Sequence, residues 1–212
     1  MKKILEYKLY YRRSLPHFQP ANAIFFITYR LAFVLPQNLI DRIFERFRIL
    51  SQKKKLSNEE MWKIEFGYID EYLHLCENGP RYLMDDRIAE FIKSSLLKMA
   101  HKQYKLFCFC IMPNHAHILI QPIEKTSGGF YSIPEIMKGH KGSTARSSNN
   151  ALKRHGTFWH HENYDHWIRT QEEFDRVVWY IIKNPVKTRL IENWIDWPHT
   201  WLNEDLKTKL AP

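Results

Sequence analysis

Two histidines, His115 and His117, stand two residues apart in a stretch that is otherwise small or apolar, with Ala116 between them and Ile118, Leu119 and Ile120 after. On a strand alternate side chains share one face, so both imidazoles can converge on one cation, and neutral imidazole is the commonest metal ligand. An ordinary pair of sheet or surface histidines fits the same short pattern. The apolar run argues for a central, buried strand, where two polar rings need partners. A second pair, Tyr180 and Asn184, is spaced i and i+4 and so adjacent on a helix margin. The apolar face of that helix, Phe174, Val177, Val178, Ile181 and Ile182, suits packing on a sheet, which would offer a phenol and an amide oxygen together beside the histidine strand. The plain alternatives are an amphipathic packing tyrosine and a helix-terminal asparagine before Pro185. A rival set, Tyr164-Asp165-His166, follows Trp159-His160-His161 in a segment without clear period. It reads as a loop beside a site or, preferably, as a structural turn with aromatic packing.

These residues need a scaffold, and the hydrophobic pattern supplies one. Ala23 to Val34 carries the strand-like run Ile24-Phe25-Phe26-Ile27-Thr28-Tyr29. Helical periods follow from about Asn38 to Lys53, and from a Ser57/Glu60 capping box to about His74. Gly79-Pro80 breaks the second, and Asp85 or Asp86 can cap a third helix with Ile88, Phe91, Ile92, Leu96 and Leu97 on one face. Tyr104 to Met112 and His115 to Gln121 read as a hairpin turned by Pro113-Asn114. A helix with Ile136 and Met137 comes next, then a Ser/Asn-rich stretch from Ser143 to Asn150. The last strong helix is expected from about Gln171 to Lys183, stopped by Asn184-Pro185. Trp194, Trp197, Pro198 and Trp201 mark a tail that folds back on the body. Strands and helices interleaved by hairpin-type connections predict an α+β layer fold, an antiparallel sheet with helices packed on it.

The chain has 212 residues, 44% hydrophobic and 15% aromatic, which suits one globular domain with a packed core. No stretch approaches the roughly 20 apolar residues that span a bilayer, and the first residues lack a signal-peptide core. A cytoplasmic, nucleoid-associated protein is expected. Cys76, Cys108 and Cys110 form neither a CxxC pair nor an even set, so reduced, buried thiols are expected. The net charge of +9 favours a polyanionic partner. Lys138, His140, Lys141, Arg146, Lys153, Arg154 and His155, interleaved with Ser143, Thr144, Ser147 and Asn149, suit phosphate contacts. The same mixture also suits a plain exposed polar helix and loop.

At this point the motifs resemble a known family. Met112-Pro113-Asn114-His115-Ala116-His117-Ile118-Leu119-Ile120 is similar to the MPNHxHxLx signature of single-tyrosine transposases, whose paired histidines form the HUH metal motif. Arg13-Ser14-Leu15-Pro16-His17-Phe18-Gln19-Pro20 resembles the amino-terminal part of the REP-associated branch. Lys141-Gly142-Ser143-Thr144-Ala145, Tyr164-Asp165-His166-Trp167-Ile168-Arg169, Tyr180-Ile181-Ile182-Lys183-Asn184-Pro185-Val186-Lys187 and Trp197-Pro198 match its pattern in order. Ala116 is small for the central HUH position, and His160 stands where the family often has glutamine.

The resemblance implies an HUH endonuclease-type, ferredoxin-like layer fold. It implies one transposase domain over residues 1–212, with a basic lead-in at 1–20, a helical insertion at about 38–100 and a Trp-rich tail at about 186–212. It further implies Tyr180 as nucleophile rather than Tyr164, and a divalent metal, Mg²⁺ or Mn²⁺, held by His115, His117 and Asn184. Asn114, Tyr164 and His166 would support the site, and Arg12, Arg13, Lys138, Lys141, Arg146, Lys153 and Arg154 would bind DNA. The implied substrate is single-stranded DNA bearing hairpin repeats, cut and rejoined through a 5′-phosphotyrosine by a monomer or homodimer. Competing readings are a domesticated, non-catalytic DNA-binding protein and a rolling-circle-type nicking enzyme. A zinc deaminase is disfavoured because its H-x-E and P-C-x-x-C elements are missing.

Overall fold

The computed structural model describes residues 10–12, 16–53, 55–75 and 79–210. Short strands β1 (Tyr10–Arg12) and β2 (Pro16–Phe18) pair antiparallel within what the sequence suggests is an irregular lead-in. Strand β3 (Ile24–Arg30) follows, then helices α1 (Gln37–Ser51), α2 (Asn58–Leu75) and α3 (Asp86–Met99). Strands β4 (Tyr104–Ile111) and β5 (His115–Pro122) form the expected hairpin. Helix α4 (Ile133–Ala151), strand β6 (Tyr164–Ile168), helix α5 (Gln171–Lys187), strand β7 (Thr200–Leu202) and helix α6 (Glu204–Leu210) complete the chain.

Five strands make one sheet in the order β6-β3-β5-β4-β7, antiparallel at each junction. The histidine strand β5 is therefore the middle one, buried on both faces. Its alternation divides the core. Ala116, Ile118 and Ile120 join Phe25, Ile27 and Tyr29 of β3 and the apolar faces of α3 and α4, including Ile88, Ile92, Leu96, Ile136 and Met137. Leu119 joins Phe26, Cys108 and Cys110 and the α5 residues Val178, Ile181 and Ile182 on the other face. The fold is α+β with helices on both faces of an antiparallel sheet, as the interleaved pattern predicts.

The local signals act where expected at several helix starts. The Ser57 N–H donates to Glu60 Oε2 at 2.9 Å and the Glu60 N–H to Ser57 Oγ at 3.2 Å, the reciprocal box that opens α2. Asp85, rather than Asp86, caps α3 by accepting the Arg87 N–H at 3.0 Å. The tail returns to the sheet: Trp197 Nε1 donates to the Ile111 carbonyl at 2.9 Å, and β7 pairs with β4.

Three segments depart from the sequence reading. Helix α5 runs through Asn184-Pro185 to Lys187. Proline is costly in a helix interior because it lacks an N–H and crowds the carbonyl four residues back. Pro185 sits in the last turn, where its own carbonyl still accepts the Leu190 N–H at 2.9 Å and Asn184 Nδ2 donates to the Tyr180 carbonyl at 2.9 Å. The Ser/Asn-rich stretch from Ser143 is the second half of α4, because Ser143 and Thr144 turn their hydroxyls back onto the Gly139 and His140 carbonyls at 2.9 and 2.7 Å. Tyr164-Asp165-His166 is neither loop nor turn but the start of β6, paired with β3 through Thr28↔Tyr164 and Phe26↔His166.

Candidate active site and metal centre

His115 and His117 point to the α5 face of the sheet and are fully buried. Each ring is fixed through Nδ1. On β3, directly across from His117, Thr28 places Oγ1 2.7 Å from His117 Nδ1. Asn114 Oδ1 lies 2.6 Å from His115 Nδ1, and its amide is oriented because Nδ2 donates to the Leu73 carbonyl of α2 at 3.3 Å. An amide oxygen only accepts, so His115 carries its proton on Nδ1 and its lone pair on Nε2. The two Nε2 atoms then face each other 3.0 Å apart. Burial holds both imidazoles well below the usual histidine range, with neighbouring charges adding to it, so both are neutral ligand-type rings at neutral pH.

Helix α5 brings Tyr180 and Asn184 to the same place. The Tyr180 ring centroid is 5.4 Å from that of His117 and 5.7 Å from that of Phe26, and Phe26 stacks on His117 at 5.6 Å. The Tyr180 hydroxyl donates to Asp70 Oδ2. Burial, and then the Asp70 carboxylate, push the phenol above its ordinary range. Asn184 is fully buried beside His74 and Tyr180. Lys187, one turn beyond, holds its ammonium 5.6 Å from the Tyr180 ring centroid.

Sequence reasoning missed Asp70 and His74. Both lie on α2, both are buried, and with His115 and His117 they present four ligand atoms all within 4.8 Å of one another. Burial raises the Asp70 carboxyl to about 6 against the opposing effects of the Tyr180 hydrogen bond and Lys187. Burial, with Lys187, lowers the His74 imidazole to about 4. Among the described residues, Asp70 Oδ1, both ring nitrogens of His74 and Asn184 Oδ1 are buried without a hydrogen-bond partner. Such atoms each cost about 1–3 kcal/mol unless something satisfies them. Imidazole nitrogens, a carboxylate oxygen and an amide oxygen are the donor types of a divalent-cation site. The two histidine Nε2 atoms, 3.0 Å apart, are close enough to serve one cation together. The residues fit a divalent cation.

The remaining expected residues scatter. Tyr164 lies beyond Phe26 from the histidines, stacked on Phe66 of α2 with centroids 3.6 Å apart. His166 Nε2 meets Glu173 Oε1 at 2.8 Å, which ties β6 to the first turn of α5. Lys138, Lys141 and Arg146 are on α4, across the sheet from Tyr180; Lys138 and Arg146 are exposed, as is Lys153 just past its end. Lys141 instead directs its ammonium at the carbonyls of His160 (3.1 Å) and Glu162 (3.2 Å). Arg154 bonds Asn149 Oδ1 at 2.7 Å and the Thr157 carbonyl at 3.2 Å. Those two cations brace the 156–162 connection. Arg12 lies on β1, and Arg13 falls outside the described residues. Cys108 and Cys110 are buried free thiols, as expected, and Cys76 lies outside the described residues.

The site is thus a histidine pair on the central strand of an antiparallel sheet, faced by a helix-borne tyrosine, within a buried cluster that could hold a metal ion. The family model described as "Transposase IS200 like" matches residues 72–184, just over half of the 212 residues, and the chain belongs to that family. Membership carries strand cleavage and joining as the general activity. A curated protein of Haemophilus influenzae, assigned by name to the REP-associated tyrosine transposases, is 25% identical over 143 residues, 65% of this chain and 81% of that one. A solved structure described as a REP-associated tyrosine transposase bound to a REP hairpin superposes with a TM-score of 0.54. It is 15% identical and covers 95% of this chain and 87% of its own, a likeness of fold. No helix among the described residues is long and apolar enough to cross a membrane.

Proposed function

We propose that this transposase cleaves and rejoins single-stranded DNA carrying hairpin repeats, with Tyr180 as nucleophile. The observation that carries the reading is the meeting of Tyr180 with the buried histidine pair, 5.4 Å between the Tyr180 and His117 rings, while Tyr164 is engaged by Phe66. His115, His117 and Asn184 would hold Mg²⁺ or Mn²⁺. The orphaned Asn184 Oδ1 supports its part in the set. A cation bound there supplies Lewis-acid stabilisation of charge on the scissile phosphate.

The chain's own residues do the rest. Tyr180 Oη forms a bond to phosphorus as the bond from phosphorus to the 3′ oxygen breaks. The phenol proton is lost, the departing 3′ oxygen gains one, and a 5′-phosphotyrosine remains. Attack by another 3′-hydroxyl reverses the step, so the bond count is conserved and no nucleotide triphosphate is consumed. Phe26, Phe66 and Tyr164 pack an apolar wall on one side of Tyr180. Exposed Lys187 stands beside the ring and suits a phosphate contact. We read residues 1–212 as one transposase domain, with the helices of 38–100 inserted so that α2 covers the site.

The test is cleavage of hairpin-bearing oligonucleotides from the DNA flanking the gene, with Mn²⁺ or Mg²⁺ added. Wild type should cut and Tyr180→Phe should not. Binding without cleavage across a fair set of flanking repeats would overturn the enzymatic reading in favour of a DNA-binding protein.

A further inference from the structure

The family motif accounts for His115, His117, Tyr180 and Asn184, and leaves α2 unexplained. That helix does not merely lie over the site. Phe66 packs edge-on against Phe26 and the Leu73 side chain is buried, and the Leu73 carbonyl holds the Asn114 amide that orients His115. The same face turns Asp70 and His74 inward, where they are 6% and 7% exposed. The two oxygens of Asp70 are used differently. Oδ2 accepts the Tyr180 hydroxyl and lies 3.5 Å from His74 Nδ1. Oδ1 has no hydrogen-bond partner among the described residues and lies 3.9 Å from His117 Nε2.

We propose that α2 completes the catalytic centre: Asp70 and His74 are further ligands of the divalent cation, and Asp70 also positions the Tyr180 hydroxyl. One carboxylate thereby couples cation to nucleophile. The second part rests on Tyr180 being the nucleophile; the first does not. A purely structural polar cluster would leave Asp70 Oδ1 without a hydrogen-bond partner and give His74 only long contacts, its Nδ1 3.5 Å from Asp70 Oδ2. A cation satisfies the carboxylate oxygen and one ring nitrogen at once. It also explains why an acidic residue stands beside the histidine pair rather than an apolar one.

The experiment uses the full chain and Mn²⁺ as probe. Free Mn²⁺ followed by electron paramagnetic resonance gives the affinity, and pulsed measurements on the loaded wild type count the coordinating imidazole nitrogens. Three nitrogens are expected, from His74, His115 and His117; two would overturn the role of His74. Asp70→Asn should weaken Mn²⁺ binding at least tenfold, and at saturating Mn²⁺ its single-turnover rate of tyrosine–DNA adduct formation should stay at least tenfold down. Asp70→Ser is the second variant should the first lose its native circular dichroism, and the nitrogen count on wild type stands if both do. Mn²⁺ affinity within twofold of wild type in a folded Asp70 variant overturns the ligand role, and an unchanged adduct rate overturns the positioning role. Tyr180→Phe should bind Mn²⁺ as wild type does. If Tyr180→Phe still forms the adduct, the nucleophile assignment fails while the cation results stand independently.

Discussion

Replacing Thr28 by valine exchanges a hydroxyl for a methyl group, and it should loosen the cation site and the fold by comparable amounts. Thr28 is buried on β3 directly opposite His117, with Oγ1 2.7 Å from Nδ1. The arrangement that frees both Nε2 lone pairs for a cation has His117 Nδ1–H donating to that hydroxyl. In Thr28→Val the proton gains nothing by staying on Nδ1. It moves to Nε2, where it can donate to His115 Nε2 across 3.0 Å, and the lone pair the cation needs is gone. Losing such an orienting partner typically costs 10–100-fold in metal affinity, about 1.4–2.8 kcal/mol. The buried nitrogen left unpaired costs about 1–3 kcal/mol of stability, or about 2–4 °C in melting temperature per kcal/mol for a chain of this size. Mn²⁺ titration and thermal melts read the two effects, and Thr28→Ser should restore both. Wild-type affinity in Thr28→Val, or an equal loss in Thr28→Ser, would refute the argument that this hydroxyl selects the ligand form of His117.

Three further outcomes follow from residues away from Tyr180. His140 is buried between Tyr29 Oη (2.8 Å) and Ser95 Oγ (2.9 Å), and burial, aided by the Lys141 charge, lowers it to about 3. An unfolded histidine near 6.5 takes up its proton first as pH falls, so this group's contribution is intact above about pH 6.5 and is lost progressively towards pH 3, by up to about 1.4 kcal/mol per pH unit. The wild-type slope of unfolding free energy against pH should therefore exceed that of His140→Gln between pH 4 and 6, and equal slopes would contradict it. Lys138→Ala should weaken DNA binding and reduce the salt slope by about 0.7–0.9, the loss of one phosphate contact. Lys141→Met, by contrast, should raise hydrogen exchange in the 160–162 connection that its ammonium braces, and an unchanged exchange rate would remove that bracing role.

What the sequence made legible was local. The same-face histidines follow from strand period, and β5 is central because its whole run is apolar. The adjacency of Tyr180 and Asn184 follows from helical spacing, although the helix outlasts Pro185. The helix from Ser57 to about His74 was legible, but not its place over the site, because its approach to β5 depends on the path of the chain rather than on any short pattern. A signal for it does exist. Phe66, Ile69, Asp70, Leu73 and His74 fall at i, i+3, i+4, i+7 and i+8, the inward stripe of a helix. A carboxylate and an imidazole on such a stripe mark a polar site in a buried face. The basic residues expected to bind DNA divide in the fold, with Lys138, Arg146 and Lys153 exposed. Lys141 and Arg154 carry the right charge, but the fold turns them onto backbone carbonyls and a side-chain amide.

The most direct measurement is the identity of the residue joined to DNA. Wild-type protein incubated with Mn²⁺ and a cleavable hairpin oligonucleotide would be denatured, digested with protease and nuclease, and the nucleotide-bearing peptide sequenced by mass spectrometry. The site geometry predicts the phosphotyrosyl link on Tyr180, with the adduct retained in Tyr164→Phe and absent in Tyr180→Phe. A link on Tyr164, lost in Tyr164→Phe and kept in Tyr180→Phe, would contradict it.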